Sequence, residues 1–218
     1  MTAAFRSLAR GRESDVEAQE IRDRANCATG TLVDLGTGDG AYPYRFAKEN
    51  PDWLAIGIDA AAENLTKTAA RIGAKPAKGG VSNLLLLVSP VEKLAGLDQV
   101  ADRLAVNFPW GSLQRGLVAG EAEILGPARS LMKPGGTFSF WLNLQVFADN
   151  ALRDRLELPD FNEAYLDGPL RKAYEACGFR IEDFHRLEEG APDVRTTWGQ
   201  KLTLGSRRET FQITGVAA

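Results

Sequence analysis

The chain is poor in the side chains that carry covalent chemistry. Its 218 residues include two cysteines, Cys27 and Cys177, and a single histidine, His185. Two cysteines so far apart make neither a disulfide framework nor a zinc site, so a reducing, cytoplasmic setting and no bound metal are expected. His185 falls within "FRIEDFHRL", which reads as a strand, and a lone histidine there is read as structural. No base–nucleophile pair stands out. Long apolar runs are missing as well: none approaches the roughly 20 residues that span a bilayer. The opening stretch "MTAAFRSLARGRES" has arginines but no apolar core after them, so no secretory signal is expected. Excess positive charge is also lacking, since 26 Lys and Arg face 29 Asp and Glu for a net charge of −3.

The distribution of that charge says more than its sum. Between Asn64 and Val91 stand four basic residues, Lys67, Arg71, Lys75 and Lys78, and no acid. Between Val194 and Arg208 stand four more, Arg195, Lys201, Arg207 and Arg208, again with no acid. The stretch from Asp149 to Asp193 holds twelve acids against six Lys or Arg. An acidic protein with one basic face can still meet phosphates. Solvated surface charge is the plainer alternative.

With 44% hydrophobic residues, the length suits one domain over 1–218. Residues 1–25 read as an N-terminal extension, and 145–178 and 187–200 as inserts between strands. "TLVDLG", "WLAIGID", "NLLLLV", "ADRLAVNF" and "TFSFWLNL" read as strands, the second nearly all apolar, as buried parallel strands are. "AYPYRFAKEN" and "AENLTKTAARIG" read as intervening helices; in the latter Leu65, Ala69 and Ile72 share one face while Lys67 and Arg71 share another. "DFNEAYL" has a capping-box spacing from Asp160 to Glu163, and "PLRKAYEACG" ends on a C-cap glycine. "FRIEDFHRL" and "TFQITGV" close the chain as a hairpin. The expected fold is α/β: a Rossmann-like, mostly parallel sheet of seven strands whose last strand is antiparallel. Ligands bind beyond the carboxyl ends of such strands.

"DLGTGDGAYPY" places Gly36, Gly38 and Gly40 directly after the first of these strands, where glycine lets backbone turn tightly and approach a ligand. Asp59 ends the next strand about twenty residues later, as a ribose-binding acid should. A dinucleotide or S-adenosylmethionine would fit. Asp34 favours the second, because a carboxylate before the glycines repels a pyrophosphate but suits the ammonium of a methionine moiety. "VSPVEKL" offers Pro90 and Val91 as apolar contacts for an adenine, with Glu92 as a possible acceptor. "LMKPGGTF" is a turn frequent in class I methyltransferases. "NFPW" stands where many N-methyltransferases carry an Asn/Asp-Pro-Pro-aromatic motif. Phe108 replaces the first proline, so the usual hydrogen bonds to an amine are not assumed. Trp110 remains available to stack on a base, or to fill the gap between helix and sheet.

"DLGTGDGAYPYRFAKENP", "AKPAKGGVSNLLLL", "VEKL", "PWGSLQRG" and "TTWGQKL" together resemble the Kam-type aminoglycoside-resistance methyltransferases, which act on N1 of adenine 1408 in 16S ribosomal RNA. The resemblance covers most of residues 30–140 and returns near 194–215. It implies a class I S-adenosylmethionine-dependent methyltransferase acting on the 30S subunit as a monomer. It further implies that Trp110 and Trp198 flank the flipped adenine. Gly36, Tyr42, Asp59, Val91, Glu92 and the stretch from Pro109 through Ser112 to Gln114 border the cofactor. Lys201 and Arg207 or Arg208 match positions that grip rRNA phosphates, and "AKPAKGG" supplies a second contact through Lys75 and Lys78. This family usually has an arginine where Lys201 stands.

Other readings stay open. "AKENPDWLAIGID" also looks like the tRNA guanine-N7 methyltransferases. A small-molecule methyltransferase, a silent RNA-binding or assembly factor, and a nicotinamide-dependent oxidoreductase complete the set.

Overall fold

A computed structural model describes residues 4–143, 150–155, 157–187 and 210–218. The chain opens with a hairpin, β1 (Ala4–Ala9) and β2 (Arg12–Glu17), followed by α1 (Ala18–Cys27). Strands and helices then alternate: β3 (Gly30–Leu35), α2 (Ala41–Glu49), β4 (Trp53–Asp59), α3 (Ala62–Ala69), β5 (Leu84–Val88) and β6 (Ala101–Asn107). Two helices, α4 (Gly111–Ala119) and α5 (Ala122–Ser130), lead to β7 (Met132–Asn143). After a helical run from Glu163 to Ala176 come β8 (Phe179–Leu187) and β9 (Thr210–Ala217).

The sheet order is β2-β1-β5-β4-β3-β6-β7-β9-β8. Seven of these strands form the expected sheet, with β3 to β7 parallel and β9 antiparallel to both β7 and β8. The N-terminal hairpin extends it to nine, because β1 pairs antiparallel with β5 through Arg6 opposite Val88 and Ser7 opposite Leu87. Residues read as an extension therefore belong to the sheet. Phe5, Val16 and Ile21 are buried in its core.

Strand alternation sorts the apolar residues onto two faces. In β5, Leu84, Leu86 and Val88 join Tyr44, Leu65 and Ala69 of α2 and α3 on one side. Leu85 and Leu87 face the other way, into the larger core with Ile21, Val33, Ile56, Leu104 and Leu117. Both faces of the central strands are covered, which is why these segments read as continuous apolar runs. Beneath β7 and β8, Phe138, Phe140, Tyr174 and Phe179 pack as one aromatic cluster.

Local details depart from the sequence reading in two places. Asn162, not Asp160, caps the helical run, its Oδ1 accepting the Tyr165 N–H at 3.0 Å. "MKPGG" is part of β7 rather than a turn before it, with Leu131 capping α5 and Gly135 at φ +74° inside the strand. The C-cap glycine stands as expected: Gly178 has φ +84° and its N–H reaches the Glu175 carbonyl at 2.9 Å. Among the described residues no helix is long and apolar enough to cross a membrane.

Candidate active site

The carboxyl ends of β3, β4, β5 and β6 lie side by side, and the loops that follow them enclose a cleft of about 280 Å³. Its wall is made of four pieces, one from each strand end: residues 36–39, Ile58 to Ala60, Ser89 to Glu92, and Asn107 to Trp110. Asn64 of α3 and Ser112, Leu113 and Ile124 of the later helices complete it. The cleft is the crevice that an open α/β sheet offers a ligand.

The first piece turns through Gly36, Gly38 and Gly40, all in the left-handed region at φ +64°, +59° and +69°. At Gly36 a Cβ would stand 2.8 Å from Leu113 Cδ2, so the Leu113 side chain would have to shift and the left-handed backbone would be strained. At Gly38 nothing lies within 4 Å of that position, so the space belongs to the cleft itself. The Gly38 N–H is held by Asp59, whose Oδ2 accepts it at 2.8 Å. Asp59 Oδ1 accepts from Ala61 N–H at 3.0 Å and Asn64 Nδ2 at 3.1 Å. An ionised carboxylate has room for about four hydrogen bonds, so the fixed Asp59 keeps acceptor capacity for hydroxyl groups. A carboxylate beside a glycine-walled hollow suits a ribose.

Asp34 lies behind this wall rather than in it. It is 1% exposed, with Thr37 Oγ1 donating to one carboxylate oxygen at 2.5 Å and Asn107 Nδ2 to the other at 2.8 Å. Burial outweighs those two bonds and pushes its carboxyl up to about 7, helped by the nearby charges of Asp59 and Asp39. A cation brought to the glycine loop would reverse that shift. Tyr42, in the first turn of α2, is also outside the cleft wall; burial and then the Asp34 charge push its phenol up to about 12.

The "NFPW" segment ends β6 in an unusual backbone. Asn107 is buried at the back of the cleft wall, and its Nδ2 already donates to Asp34. Phe108, buried, takes φ +53°, which costs a non-glycine residue energy and survives only where the surroundings enforce it. Its N–H donates to the Trp141 carbonyl at 2.8 Å. This kink sets Pro109 against the cleft and leaves Trp110 at the N-cap of α4, 58% exposed on the cleft mouth. Trp110 does not fill the gap between helix and sheet. It is the exposed large hydrophobic residue among those described.

Of the residues expected at the cofactor, the structure thus gathers Gly36, Gly38, Asp59, Val91, Glu92, Pro109 and Ser112 in one cleft and sets Asp34 and Tyr42 outside it. Sequence reading missed Thr37, Asn64 and the Asn107–Asp34 link, which no local motif signals. Lys67, Arg71, Lys75 and Lys78 are all exposed, on α3 and the loop after it. Trp198, Lys201, Arg207 and Arg208 lie outside the described residues. Among the described residues no cluster of His, Cys, Asp and Glu has metal-site geometry.

The fold is that of the class I S-adenosylmethionine-dependent methyltransferases. Residues 8–217 match the NpmA family, 16S rRNA (adenine(1408)-N(1))-methyltransferase, and this chain belongs to that family. A 16S rRNA (adenine(1408)-N(1))-methyltransferase of Streptoalloteichus tenebrarius is 34% identical over 201 residues, 92% of this chain and 90% of that protein. The crystal structure of a variant of the enzyme with the same name from Catenulisporales acidiphilia, with cosubstrate S-adenosylmethionine, superposes with a TM-score of 0.86 at 32% identity, covering 99% of this chain and 97% of that one. A tRNA (guanine-N(7)-)-methyltransferase of Anaeromyxobacter dehalogenans is 33% identical over 204 residues, 90% of each chain.

Proposed function

We propose that this chain transfers the methyl group of S-adenosylmethionine to N1 of adenine 1408 in 16S rRNA and so confers aminoglycoside resistance. It acts on the 30S subunit, as a monomer in the cytoplasm. The observation that carries the reading is the exposed Trp110 at the mouth of a nucleoside-sized cleft, in a chain of this family.

Gly36, Gly38, Asp59, Val91, Glu92, Pro109 and Ser112 hold the cofactor, which supplies an electrophilic methyl group on sulfur. Asp59 accepts from the ribose hydroxyls, and Val91 and Pro109 give apolar contact. Asp34 acts from behind the glycine loop through its charge on the methionine ammonium, and Tyr42 packs beside it. Adenine N1 offers a lone pair and carries no proton at neutral pH, so the new N–C bond forms without a general base. The C–S bonding pair stays on sulfur, and the positive charge passes to the purine. The protein's task is therefore to extrude the base, align it and keep it still. Trp110 stacks on the flipped adenine, with Trp198 as the opposite face of the sandwich. Lys67, Arg71, Lys75, Lys78, Lys201 and one or both of Arg207 and Arg208 grip phosphates.

The guanine-N7 relative favours tRNA as the second reading. Incubation with labelled S-adenosylmethionine and 30S subunits, naked 16S RNA or tRNA, followed by reverse transcription, separates the two. The expected result is a stop beside position 1408 on 30S subunits, because N1-methyladenine cannot pair. Label in tRNA without that stop would overturn the proposal.

A further inference from the structure

The basic loop between α3 and β5 is built, not merely exposed. Ile72 bridges Val81 across its neck, and the Gly73 N–H donates to the Val81 carbonyl at 3.0 Å. Inside it, Lys78 N–H and Gly80 N–H both reach the Lys75 carbonyl, at 2.8 and 3.2 Å. A Cβ at Gly80 would fall 1.8 Å from the Ala74 carbonyl oxygen, so the turn closes on itself with no slack. From one side Tyr44 holds the loop: its hydroxyl donates to the Gly79 carbonyl at 2.7 Å, while the Arg71 guanidinium lies 4.9 Å from its ring centroid.

The other side is held by the N-terminal hairpin. Its two-residue turn, Arg10–Gly11, has φ +52° and +69°, the type I′ form that suits Asn-Gly or Gly-Gly far better than arginine. The Arg10 N–H donates to the Ala69 carbonyl at 2.7 Å, at the end of α3. Its guanidinium reaches over to the Gly73 carbonyl at 2.5 Å. Gly73 is fitted to receive it, since it has φ +66° and a Cβ there would stand 2.9 Å from Arg10 Nη2. An arginine in an unfavourable turn position, lying against a glycine whose left-handed backbone disfavours a side chain, indicates a demand beyond hairpin formation.

We infer that the hairpin tip is a positioning device for RNA: Arg10 holds loop 70–81 in the shape in which Lys75 and Lys78 meet the phosphate backbone. This rests on the rRNA reading above. The loop joins the end of α3 to the start of β5 and none of residues 70–81 lines the cleft, so a small-molecule substrate bound there has no use for these cations. A substrate that reaches both places must be large and polyanionic. Holding the loop before contact removes the ordering cost that a floppy lysine loop would bring to binding.

Arg10→Asn tests this well, because Asn-Gly is a favoured type I′ pair and the hairpin should fold at least as firmly without the guanidinium. The expected result with 30S subunits is a KM about tenfold higher, with kcat and S-adenosylmethionine affinity unchanged. Gly73→Ala, which crowds the guanidinium from the other side, should raise KM likewise. Lys75→Ala/Lys78→Ala should also raise KM, and adding Arg10→Asn to that pair should change it less than twofold further. A full tenfold effect on the lysine-free background would mean that Arg10 grips RNA itself, overturning the positioning role. An unchanged KM for Arg10→Asn beside a raised one for the lysine pair would overturn the hairpin's part and leave the rRNA reading standing. An unchanged KM for the lysine pair would remove the loop from the RNA surface altogether.

Discussion

The two halves of the cleft are built on opposite plans. Around the glycine loop the carboxylates are held by the fold itself: Asp59 accepts three hydrogen bonds and Asp34 two, and the loop is fixed between them. On the target side the main feature is a 58% exposed tryptophan, raised on a backbone kink at Phe108. The first half is a mould for a small molecule of constant shape. On the proposed function, the second is for a base that must first leave its helix, and it offers area rather than hydrogen bonds. On that reading the cofactor meets a preformed site, while the target's own base completes the other half.

Substitutions that separate the halves would test this contrast. The largest effect should come from Trp110→Ala. Stacking on a base contributes about 1–3 kcal/mol, so methyl transfer to 30S subunits should fall by roughly 10- to 100-fold with cofactor affinity in calorimetry nearly unchanged. Trp198→Ala should behave in the same way, and loss of cofactor binding in both would erase the distinction. Asp59→Ala should do the reverse. It removes an ionised acceptor, worth roughly 1.5–3 kcal/mol, so the cofactor Kd should rise about tenfold or more. An unaltered Kd would take Asp59 out of the ribose site.

Asp34 sharpens the contrast through pH. Its carboxyl is raised to about 7 in the fold, against about 3.9 unfolded. Below the lower value both states hold the proton and the residue costs nothing. As pH rises toward 7 the unfolded chain sheds the proton while the fold retains it, so stability falls, and the loss levels off above 7. Asp34→Asn preserves the Asn107 contact and escapes this loss. Its advantage in unfolding free energy from urea titrations should therefore grow between pH 4 and 7 and then stay constant. Parallel pH curves for the two proteins would show an ordinary carboxylate. The smallest effect belongs to Lys67→Ala, an exposed cation on α3: a few-fold weaker 30S binding and a salt slope lower by about one. An identical slope would leave Lys67 as surface charge.

Much of this arrangement could be read from the sequence wherever neighbours in the chain are also neighbours in space. "WLAIGID" and "FRIEDFHRL" coincide with β4 and β8 residue for residue, because apolar content and flanking breaks mark them. The glycine loop and Asp59 were legible from spacing alone. The hairpin was not. β2, "RESDVE", buries only Val16, so its pattern resembles a solvated tail, and its pairing is decided by β1 and β5 rather than by its own residues. The Asn107–Asp34 bond spans 73 positions and depends on β6 lying next to β3, which no local pattern encodes. Arg10 in a turn that prefers asparagine also went unread, since its reason lies in Gly73.

The charged face of β2 has one more consequence. A nine-stranded sheet must end somewhere, and at this flank it ends on a strand whose outward groups include Arg12, Glu13, Asp15 and Glu17. Bare backbone donors and acceptors on such a flank invite a further strand, from this chain's own copies above all. Ionic side chains and a single apolar one make that addition unrewarding. The hairpin that steadies the basic loop is also the sheet's guard against polymerising into aggregates.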